Sequence, residues 1–277
     1  MSHKGDFLTL LKSQNCHIHL GADDLNSGSL PLGATGDAAT HQLEVAEGTT
    51  VIAVRYQDGI LIAGDRRATA GTSVMYDRAE KVLSIDEYSV LAISGSPAIA
   101  YEMARVLEHS FQYFRRSQLQ ELSVEGKLRM LSRLIRENLP MALQGIGGVI
   151  PIFALYDLNQ PEDENGGKIY FYDALGAHFE NAAFAVSGSG SVWIRGILRY
   201  LDRWEGGPLA EMDLQRATRT VLRLLDTASE YDVATSGYNP KSRIFPTAKT
   251  ITREGIHDLP EQQLDEIYTE FVNVDYA

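Results

Sequence analysis

The sequence predicts an α+β protein arranged as a four-layer αββα sandwich, in which two facing sheets are covered by helices. Three observations predict this fold. Short β-branched segments between turn residues indicate antiparallel strands, and longer segments with apolar residues at helical spacing indicate helices. The segments occur in blocks, namely strands, two helices, strands, two helices and strands. Because helices and strands are segregated, a layered α+β domain is favoured over a series of βαβ units.

The first block of strands begins at Thr49. Here TTVIAVRYQ and ILIAGD flank the pair Asp58-Gly59, and an Asp-Gly pair between β-branched segments is typical of a tight hairpin. KVLSID at residues 81–86 and SVLAISG at residues 89–95 predict a second hairpin. We therefore expect two hairpins before the first helix.

Two helices are predicted next. The first covers roughly residues 97–118, where Pro97 suits the first turn because that position needs no N–H donor. The second covers roughly residues 123–145 and carries Leu128 and Leu131 among its apolar residues at helical spacing. The elements predicted beyond it are strands at residues 149–157, 168–174 and 179–186, helices near 191–203 and 211–230, a strand pair around Arg253-Glu254-Gly255, and an acidic amphipathic tail.

The composition is that of an ordinary soluble globular protein, with 277 residues, 44% of them hydrophobic and 22% charged. A formal net charge of −12 argues against a nucleic-acid-binding surface, which needs clustered Lys and Arg. No apolar run reaches the roughly 18 residues of a membrane span, and Lys4, Asp6 and Lys12 interrupt any secretory signal. We expect a cytoplasmic protein that binds neither membrane nor nucleic acid.

Residues 1–48 differ in composition from the rest of the chain. The stretch from Gly21 to Gly48 is rich in Gly, Ala, Ser, Asp and Thr and has no sustained strand or helix period. This composition predicts a weakly ordered leader. We therefore expect the folded domain to comprise residues 49–277.

Two further site classes find no support in the sequence. Cys16, His17 and His19 lie in the leader without a second cluster at zinc-finger spacing, so no metal site is expected. The segment Ser187-Gly188-Ser189-Gly190-Ser191 lacks the lysine of a phosphate-binding loop, and Trp193 stands where a dinucleotide motif needs its third glycine. No cofactor is expected.

The boundary between the leader and the first strand contains residues that suit nucleophilic catalysis. A hydroxyl is a weak nucleophile that needs a nearby base, and an α-amino group, with a pKa of about 8, can act as that base. A threonine at a free N-terminus combines the two groups. Gly48-Thr49-Thr50 offers such a threonine, although an isolated Gly-Thr-Thr also fits an ordinary strand start. Three segments follow it at characteristic spacings, namely Gly64-Asp65-Arg66-Arg67-Ala68-Thr69, Lys81 and Ser94-Gly95-Ser96.

The order and spacing of these segments resemble the β-subunits of bacterial proteasomes over residues 48–253, and more distantly the bacterial HslV peptidase. The resemblance implies the N-terminal-nucleophile (Ntn) hydrolase fold and threonine endopeptidase activity. It also implies that residues 1–48 are a propeptide and that self-cleavage between Gly48 and Thr49 makes Thr49 the N-terminal nucleophile. The precursor would then be latent, because the amine does not exist before cleavage.

The resemblance also implies roles for residues that follow. Lys81 would lower the pKa of the Thr49 hydroxyl, and Asp65 would keep Lys81 in place and charged. Without the resemblance, Asp65 and Lys81 would be read as a surface pair. The backbone N–H of Gly95 would stabilise the tetrahedral oxyanion, and Arg67 would be structural.

Downstream, the resemblance places Ser189 near the nucleophile, and Asp232 and Thr235 where they would brace its amine. Ser236 stands where the family often has glycine, which leaves the path of that loop open. The resemblance also implies a first specificity pocket without charged residues, which would favour an apolar side chain before the scissile bond. The positions of this pocket are Ala68, Ala79, Leu83, Ile93, Pro97 and Tyr101.

Three classes of function compete. A threonine protease in a barrel would assemble with α-subunits and other β-subunits in stacked rings of seven and receive polypeptides from a ring-shaped unfolding ATPase. A non-proteasomal Ntn amidohydrolase is disfavoured by the segments around Asp65 and Ser189. A non-catalytic ring subunit is disfavoured because the whole set of candidate residues is present, namely Thr49, Asp65, Lys81, Ser189 and Asp232. Within the first class, the chain length and the long leader favour a proteasome β-subunit over an HslV-type peptidase.

Overall fold

The computed structural model describes residues 48–71, 73–145, 147–181, 183–239 and 242–275, with side chains as far as residue 270. This part of the chain contains twelve strands and five α-helices. The strands are β1 (Thr50–Tyr56), β2 (Gly59–Gly64), β3 (Ala68–Ala70), β4 (Ser73–Tyr76), β5 (Val82–Ser84), β6 (Ser89–Ala92), β7 (Ile152–Tyr156), β8 (Gly167–Tyr172), β9 (His178–Asn181), β10 (Phe184–Gly188), β11 (Thr247–Thr252) and β12 (Gly255–Asp258). The helices are α1 (Pro97–Gln118), α2 (Val124–Leu143), α3 (Ser191–Trp204), α4 (Leu214–Tyr231) and α5 (Glu261–Asp275).

Two five-stranded antiparallel sheets form the centre of the fold. The first sheet has the order β10-β1-β2-β11-β12 and the second has the order β5-β6-β7-β8-β9. Strands β3 and β4 form a separate two-stranded hairpin. Both hairpins predicted at the start of the domain are confirmed, as β1–β2 and β5–β6.

Alternation along the strands separates three hydrophobic cores. Val51 and Ala53 of β1 face the second sheet, whereas Ile52 and Val54 face the helices on the outside. The core between the sheets also takes apolar residues from β2, β6, β7 and β11. Helices α3, α4 and α5 cover the first sheet, and α1 and α2 cover the second. The predicted four-layer αββα sandwich is therefore confirmed.

Both long helices predicted in the first half are confirmed within two residues. Pro97 occupies the first turn of α1, where no side chain caps the helix. At the start of α2, the Ser123 hydroxyl accepts a hydrogen bond from the backbone N–H of Gly126. Among the described residues, no helix is long and apolar enough to cross a membrane.

Two local predictions are corrected by the structure. The segment 179–186, predicted as one strand, is divided between β9 in the second sheet and β10 in the first, so the chain changes sheets there. The first hairpin turns at Gln57 and Asp58, with Gly59 already paired to Tyr56. Gly59 is needed for another reason, because a Cβ there would lie 2.1 Å from the carbonyl oxygen of Ile251 in β11. The acidic tail forms helix α5.

Candidate active site

The candidate catalytic residues lie where the strands and helices end, at one edge of the sandwich. Thr49 immediately precedes β1, Asp65 follows β2, and Lys81 precedes β5. Ser189 lies between β10 and α3, and Asp232 follows α4. The fold therefore collects residues that are widely separated in sequence, and the hydrogen bonds below show which of them it brings into contact.

The Gly48–Thr49 peptide bond is held by two donors. The Thr49 hydroxyl donates to the carbonyl oxygen of Gly48 at 2.6 Å, and Lys81 Nζ donates to the same oxygen at 3.0 Å. Gly48 has φ +109, and a Cβ there would lie 2.6 Å from Thr69 Oγ1 and 2.8 Å from the Ala234 side chain. Only glycine fits this position without strain.

Lys81 is buried and fully satisfied as a donor. Its side chain is 2% exposed, and Nζ donates to Asp65 Oδ1 at 2.7 Å and to the carbonyl oxygens of Arg67 and Gly48. An ammonium group has three protons, so each of them has an acceptor. Burial lowers the pKa of Lys81 below its ordinary value, while the Asp65 carboxylate acts to raise it. The two residues form a buried ion pair, which excludes the reading as a surface pair.

Asp65 joins three parts of the chain through one carboxylate. Besides Lys81, Oδ1 accepts a hydrogen bond from the backbone N–H of Thr50 at 2.8 Å. Oδ2 accepts from the backbone N–H of Arg67 at 2.9 Å and of Ser236 at 3.0 Å. The loop whose path the sequence left open is thereby fixed against Asp65. The carboxylate is completely buried, and its four charged or N–H partners offset the cost of burying it.

A second carboxylate, Asp232, receives two hydroxyl groups. Its Oδ2 accepts from Ser189 Oγ at 2.6 Å and from Thr235 Oγ1 at 2.5 Å. Thr50 Oγ1 lies 2.5 Å from Thr235 Oγ1 and accepts from the backbone N–H of Gly190 at 2.9 Å. Because Thr235 gives its proton to the carboxylate, Thr50 donates to Thr235. The protons therefore all point toward Asp232.

Ser189 connects this network to the nucleophile candidate. Its backbone N–H donates to the carbonyl oxygen of Thr49 at 2.9 Å. The preceding Gly188 has φ +96, and a Cβ there would lie 1.8 Å from that same carbonyl oxygen. Sequence reasoning did not assign roles to Gly188 or Thr50. The Ser-Gly-Ser-Gly segment is a sequence signal for Gly188. No sequence signal marks the Thr50 hydroxyl, because threonine is common in strands.

Gly95 lines the same cavity as Thr49. The cavity has a volume of about 380 Å³, and Gly48, Gly188 and Ser189 also contribute to its wall. Gly95 has φ +98, and a Cβ there would lie 2.0 Å from the carbonyl oxygen of Gly148. Glycine is thus required by the close approach of residue 148. The arrangement puts the candidate oxyanion donor beside the candidate nucleophile.

The six positions of the predicted specificity pocket lie on β3, β5, α1 and the segments between them. Ala68, Ala79 and Ile93 are buried, whereas the other three are partly exposed. The Tyr101 hydroxyl donates to the carbonyl oxygen of Glu80 at 2.8 Å. In the described part of the chain, the lining of the cavity beside Thr49 includes none of the six. The six predicted pocket positions are Ala68, Ala79, Leu83, Ile93, Pro97 and Tyr101.

Among residues that the structure describes, no group of three or more His, Cys, Asp or Glu side chains could hold a metal ion. Cys16, His17 and His19 lie outside the described residues, as does the rest of the leader up to residue 47. The chemistry available at the described site is that of hydroxyls, carboxylates, an ammonium and backbone N–H groups.

Comparison with known proteins gives one consistent result. The model of the family described as "Proteasome subunit" matches residues 45–239. "Proteasome subunit beta 2" of Thermomonospora curvata is 39% identical over 238 residues, which cover 86% of this chain and 81% of the relative. "Proteasome subunit beta" of Acidothermus cellulolyticus is 38% identical over 244 residues, which cover 88% of this chain and 80% of the relative. "Proteasome subunit beta" of Streptomyces griseus is 36% identical over 225 residues, which cover 81% of this chain and 76% of the relative. The chain therefore belongs to the proteasome subunit family.

Proposed function

We propose that this chain is the precursor of a catalytic proteasome β-subunit, a threonine endopeptidase that cleaves unfolded polypeptides after removing its own propeptide, residues 1–48. The observation that carries the proposal is the geometry at Gly48. Its carbonyl group is held by the hydroxyl of Thr49 and by the buried ammonium of Lys81. The peptide bond, the nucleophile and a positive charge therefore meet at one place.

This arrangement supports self-cleavage by the following route. Thr49 Oγ attacks the carbonyl carbon of Gly48, the C–N bond breaks, and the proton lost by the hydroxyl passes to the departing nitrogen. Lys81 stabilises the negative charge that develops on the Gly48 oxygen. The product is an ester between Gly48 and the Thr49 hydroxyl. Water hydrolyses this ester, which releases the leader with a new carboxylate and leaves Thr49 with a free amine.

Peptide hydrolysis then uses the same hydroxyl on an external substrate. The new α-amino group takes the proton from Thr49 Oγ and passes it to the leaving amine. The Gly95 N–H supports the oxyanion, and water cleaves the ester in a second step. Asp232, with Ser189 and Thr235, fixes the main chain around the amine. The cavity that Gly95 shares with Thr49 supports this assignment.

The relatives are named as subunits, which supports a multi-subunit assembly. We propose α-subunits and other β-subunits as partners in stacked rings of seven, fed by a ring-shaped unfolding ATPase in the cytoplasm. The substrate pocket would be formed by the six uncharged positions on β3, β5, α1 and the segments between them. An HslV-type peptidase would instead assemble without α-subunits, and a free amidohydrolase would hydrolyse small amides but not peptides.

The test is to co-express the full chain with its α-subunit and to measure intact mass and peptide turnover. Wild type is expected to lose residues 1–48 and to begin at Thr49. Thr49→Ala is expected to keep its leader and to lose turnover, because one hydroxyl serves both reactions. Thr49→Ser retains the hydroxyl and is the matched control, expected to be processed. An active wild-type assembly with another N-terminus, or turnover by Thr49→Ala, would refute the proposal.

A further inference from the structure

Two serines meet between the sheets beside the candidate active site. Ser94 follows β6 and Ser187 belongs to β10, and their hydroxyl oxygens are 2.7 Å apart. Both also approach the carbonyl oxygen of Ile150, at 2.6 Å from Ser94 Oγ and 2.7 Å from Ser187 Oγ. Each serine is only 4% exposed. The three oxygens therefore form a compact triangle that links two different sheets.

The number of protons determines how this triangle is held together. Each hydroxyl donates one hydrogen bond, so two protons serve three short oxygen–oxygen contacts. One serine donates to Ile150, and the other donates to the first serine. The two serines can exchange these roles, and their mutual contact carries a proton in both arrangements. If both serines donated to Ile150 instead, the two hydroxyl oxygens would face each other at 2.7 Å without a proton between them, which is repulsive. The arrangements with a Ser94–Ser187 hydrogen bond are therefore favoured.

Each serine directly precedes a glycine of the candidate site. Gly95 follows Ser94 at φ +98, and Gly188 follows Ser187 at φ +96. Ser94 is held to the second sheet, where its carbonyl oxygen accepts from the backbone N–H of Ile150 at 3.1 Å. Ser187 pairs with Val51 of the first sheet, one residue from the Gly188–Thr50 pair. The hydroxyl pair thus joins the segment that carries the candidate oxyanion donor to β10, the strand that pairs with β1 next to Thr49.

We infer that Ser94 and Ser187 are positioning residues whose hydrogen bond sets the separation between the Gly95 N–H and the Thr49 hydroxyl. This inference rests on the proposed function. The neighbouring contact between the sheets is apolar, with Val51, Ala92 and Ile152 among its residues.

Apolar contact is not directional, whereas a hydrogen bond fixes its two atoms to within a few tenths of an ångström. An oxyanion donor must lie about 2.7–3.1 Å from the developing charge. A displacement of about 1 Å in such a site can cost about 100-fold in rate. A device that fixes the distance between the two sheets at this point therefore has a catalytic consequence.

The test compares Ser94→Ala, Ser187→Ala and the double variant in processed assemblies. Each single variant is expected to lose about tenfold in kcat with KM changed less than about twofold, because the lost alignment matters in the transition state. A peptide boronate, which forms a tetrahedral adduct with a hydroxyl nucleophile, is expected to lose affinity by a similar factor. The double variant is expected to resemble the worse single one, since all three remove the same contact.

The matched control is Ser89→Ala. Ser89 is a completely buried serine on β6, and its hydroxyl accepts from Lys127 Nζ at 3.0 Å. Loss of the Ser89 hydroxyl removes a comparable buried hydrogen bond at a position that is not in contact with Thr49. The value of kcat should therefore be unchanged. A second variant, Ser187→Thr, keeps the hydroxyl and is expected to retain kcat within about threefold of wild type.

Three results would overturn the inference. The first is an unchanged kcat in both single alanine variants. The second is an equal loss in Ser89→Ala, which would indicate general loosening of the sheet. The third is a Ser187→Thr variant as slow as Ser187→Ala. Failure of the proposed function itself is recognised separately, because wild type would then turn over peptides no faster than Thr49→Ala.

Discussion

Lys81 has an unusual set of partners for a lysine. The residue is buried, and its three protons are taken by one carboxylate and two main-chain carbonyls. Desolvation favours the neutral amine, whereas Asp65 favours the ammonium, and desolvation is the larger effect. Lys81 therefore loses its proton at a lower pH than an exposed lysine does. Its charge depends on Asp65, so on the proposed mechanism this carboxylate would control the pH range of catalysis.

Replacing Asp65 by Asn tests that dependence. The amide preserves the size of the side chain but removes the charge that raises the pKa of Lys81, so the pKa should fall further. If catalysis needs the charged ammonium, the alkaline limb of kcat/KM should move to lower pH in Asp65→Asn. The measurement is a pH–rate profile on processed enzyme.

The control for this prediction is Asp77→Asn. Asp77 pairs with Arg67 at 3.3 Å near the surface, and its loss should leave the alkaline limb in place. An unchanged limb in Asp65→Asn, or a shift to higher pH, would show that the charge of Lys81 is not required. A shift of equal size in both variants would indicate a general charge effect.

At the scale of elements, the connection from β10 to α3 controls the position of Thr49. A Cβ on Gly188 would lie 1.8 Å from the Thr49 carbonyl oxygen, and the residue has φ +96. Gly188→Ala must therefore displace Thr49 or strain the turn, at a cost of about 1–3 kcal/mol in the free energy of unfolding. We expect a lower melting temperature and a loss of peptide turnover, measured on the same preparation.

Gly196, on helix α3, provides the matched control. A Cβ there meets nothing within 4 Å, and alanine is the better helix former by about 1 kcal/mol. Gly196→Ala should therefore be at least as stable as wild type and fully active. A Gly188→Ala variant with wild-type stability and turnover would contradict the steric argument.

The elements also show what the sequence can and cannot predict. The two long helices and the two hairpins at the start of the domain were predictable because their patterns are local. The division of residues 179–186 between two sheets was not, since sheet membership depends on partners such as Thr50 that are distant in sequence. Strands β3 and β4 have only three and four residues, too few to show a period.

The candidate site divides in the same way. Asp65 and Lys81 belong to segments with recognisable spacing, and the structure places them in contact. The Thr50 hydroxyl belongs to ordinary strand sequence, and Ser94 and Ser187 belong to segments that are far apart in the chain. Their partners are known only once the sheets are packed. Spacing can identify residues that perform chemistry, but residues that hold them in place depend on non-local contacts.

At the scale of the whole molecule, the proposed specificity pocket draws its residues from β3, β5, α1 and the segments between them. No charged side chain is among the six positions, so a Lys, Arg or Glu side chain would enter without a counter-charge. Peptides ending in Leu, Tyr or Phe before the scissile bond should therefore exceed those ending in Arg or Glu by at least about tenfold in kcat/KM. Fluorogenic peptides that differ only in this residue provide the measurement.

The internal control is the Thr49→Ala assembly, which should release no fluorophore from any of these peptides. Arg66 is the charged residue of concern, since it lies close to Ala79, whose N–H donates to the Arg66 carbonyl oxygen. A preference for the peptide ending in Glu in wild type that disappears in Arg66→Ala would show that this charge reaches the pocket. Such a result would contradict the pocket assignment and leave the nucleophile unaffected.

The contact between Lys81 and Gly48 has a consequence for the moment of activation. One of the three acceptors of the ammonium belongs to the leader, whereas the other two belong to Asp65 and Arg67 and stay with the enzyme. On the proposed route, the departure of Gly48 frees one proton of Lys81, which becomes available to the hydroxyl oxygen of Thr49. The Thr49 hydroxyl loses its own acceptor, the Gly48 carbonyl oxygen, in the same step. Maturation on the proposed route is thus an exchange of hydrogen-bond partners in a site that is already assembled. It requires no rearrangement of the sheets, and it cannot run backwards once the leader has diffused away.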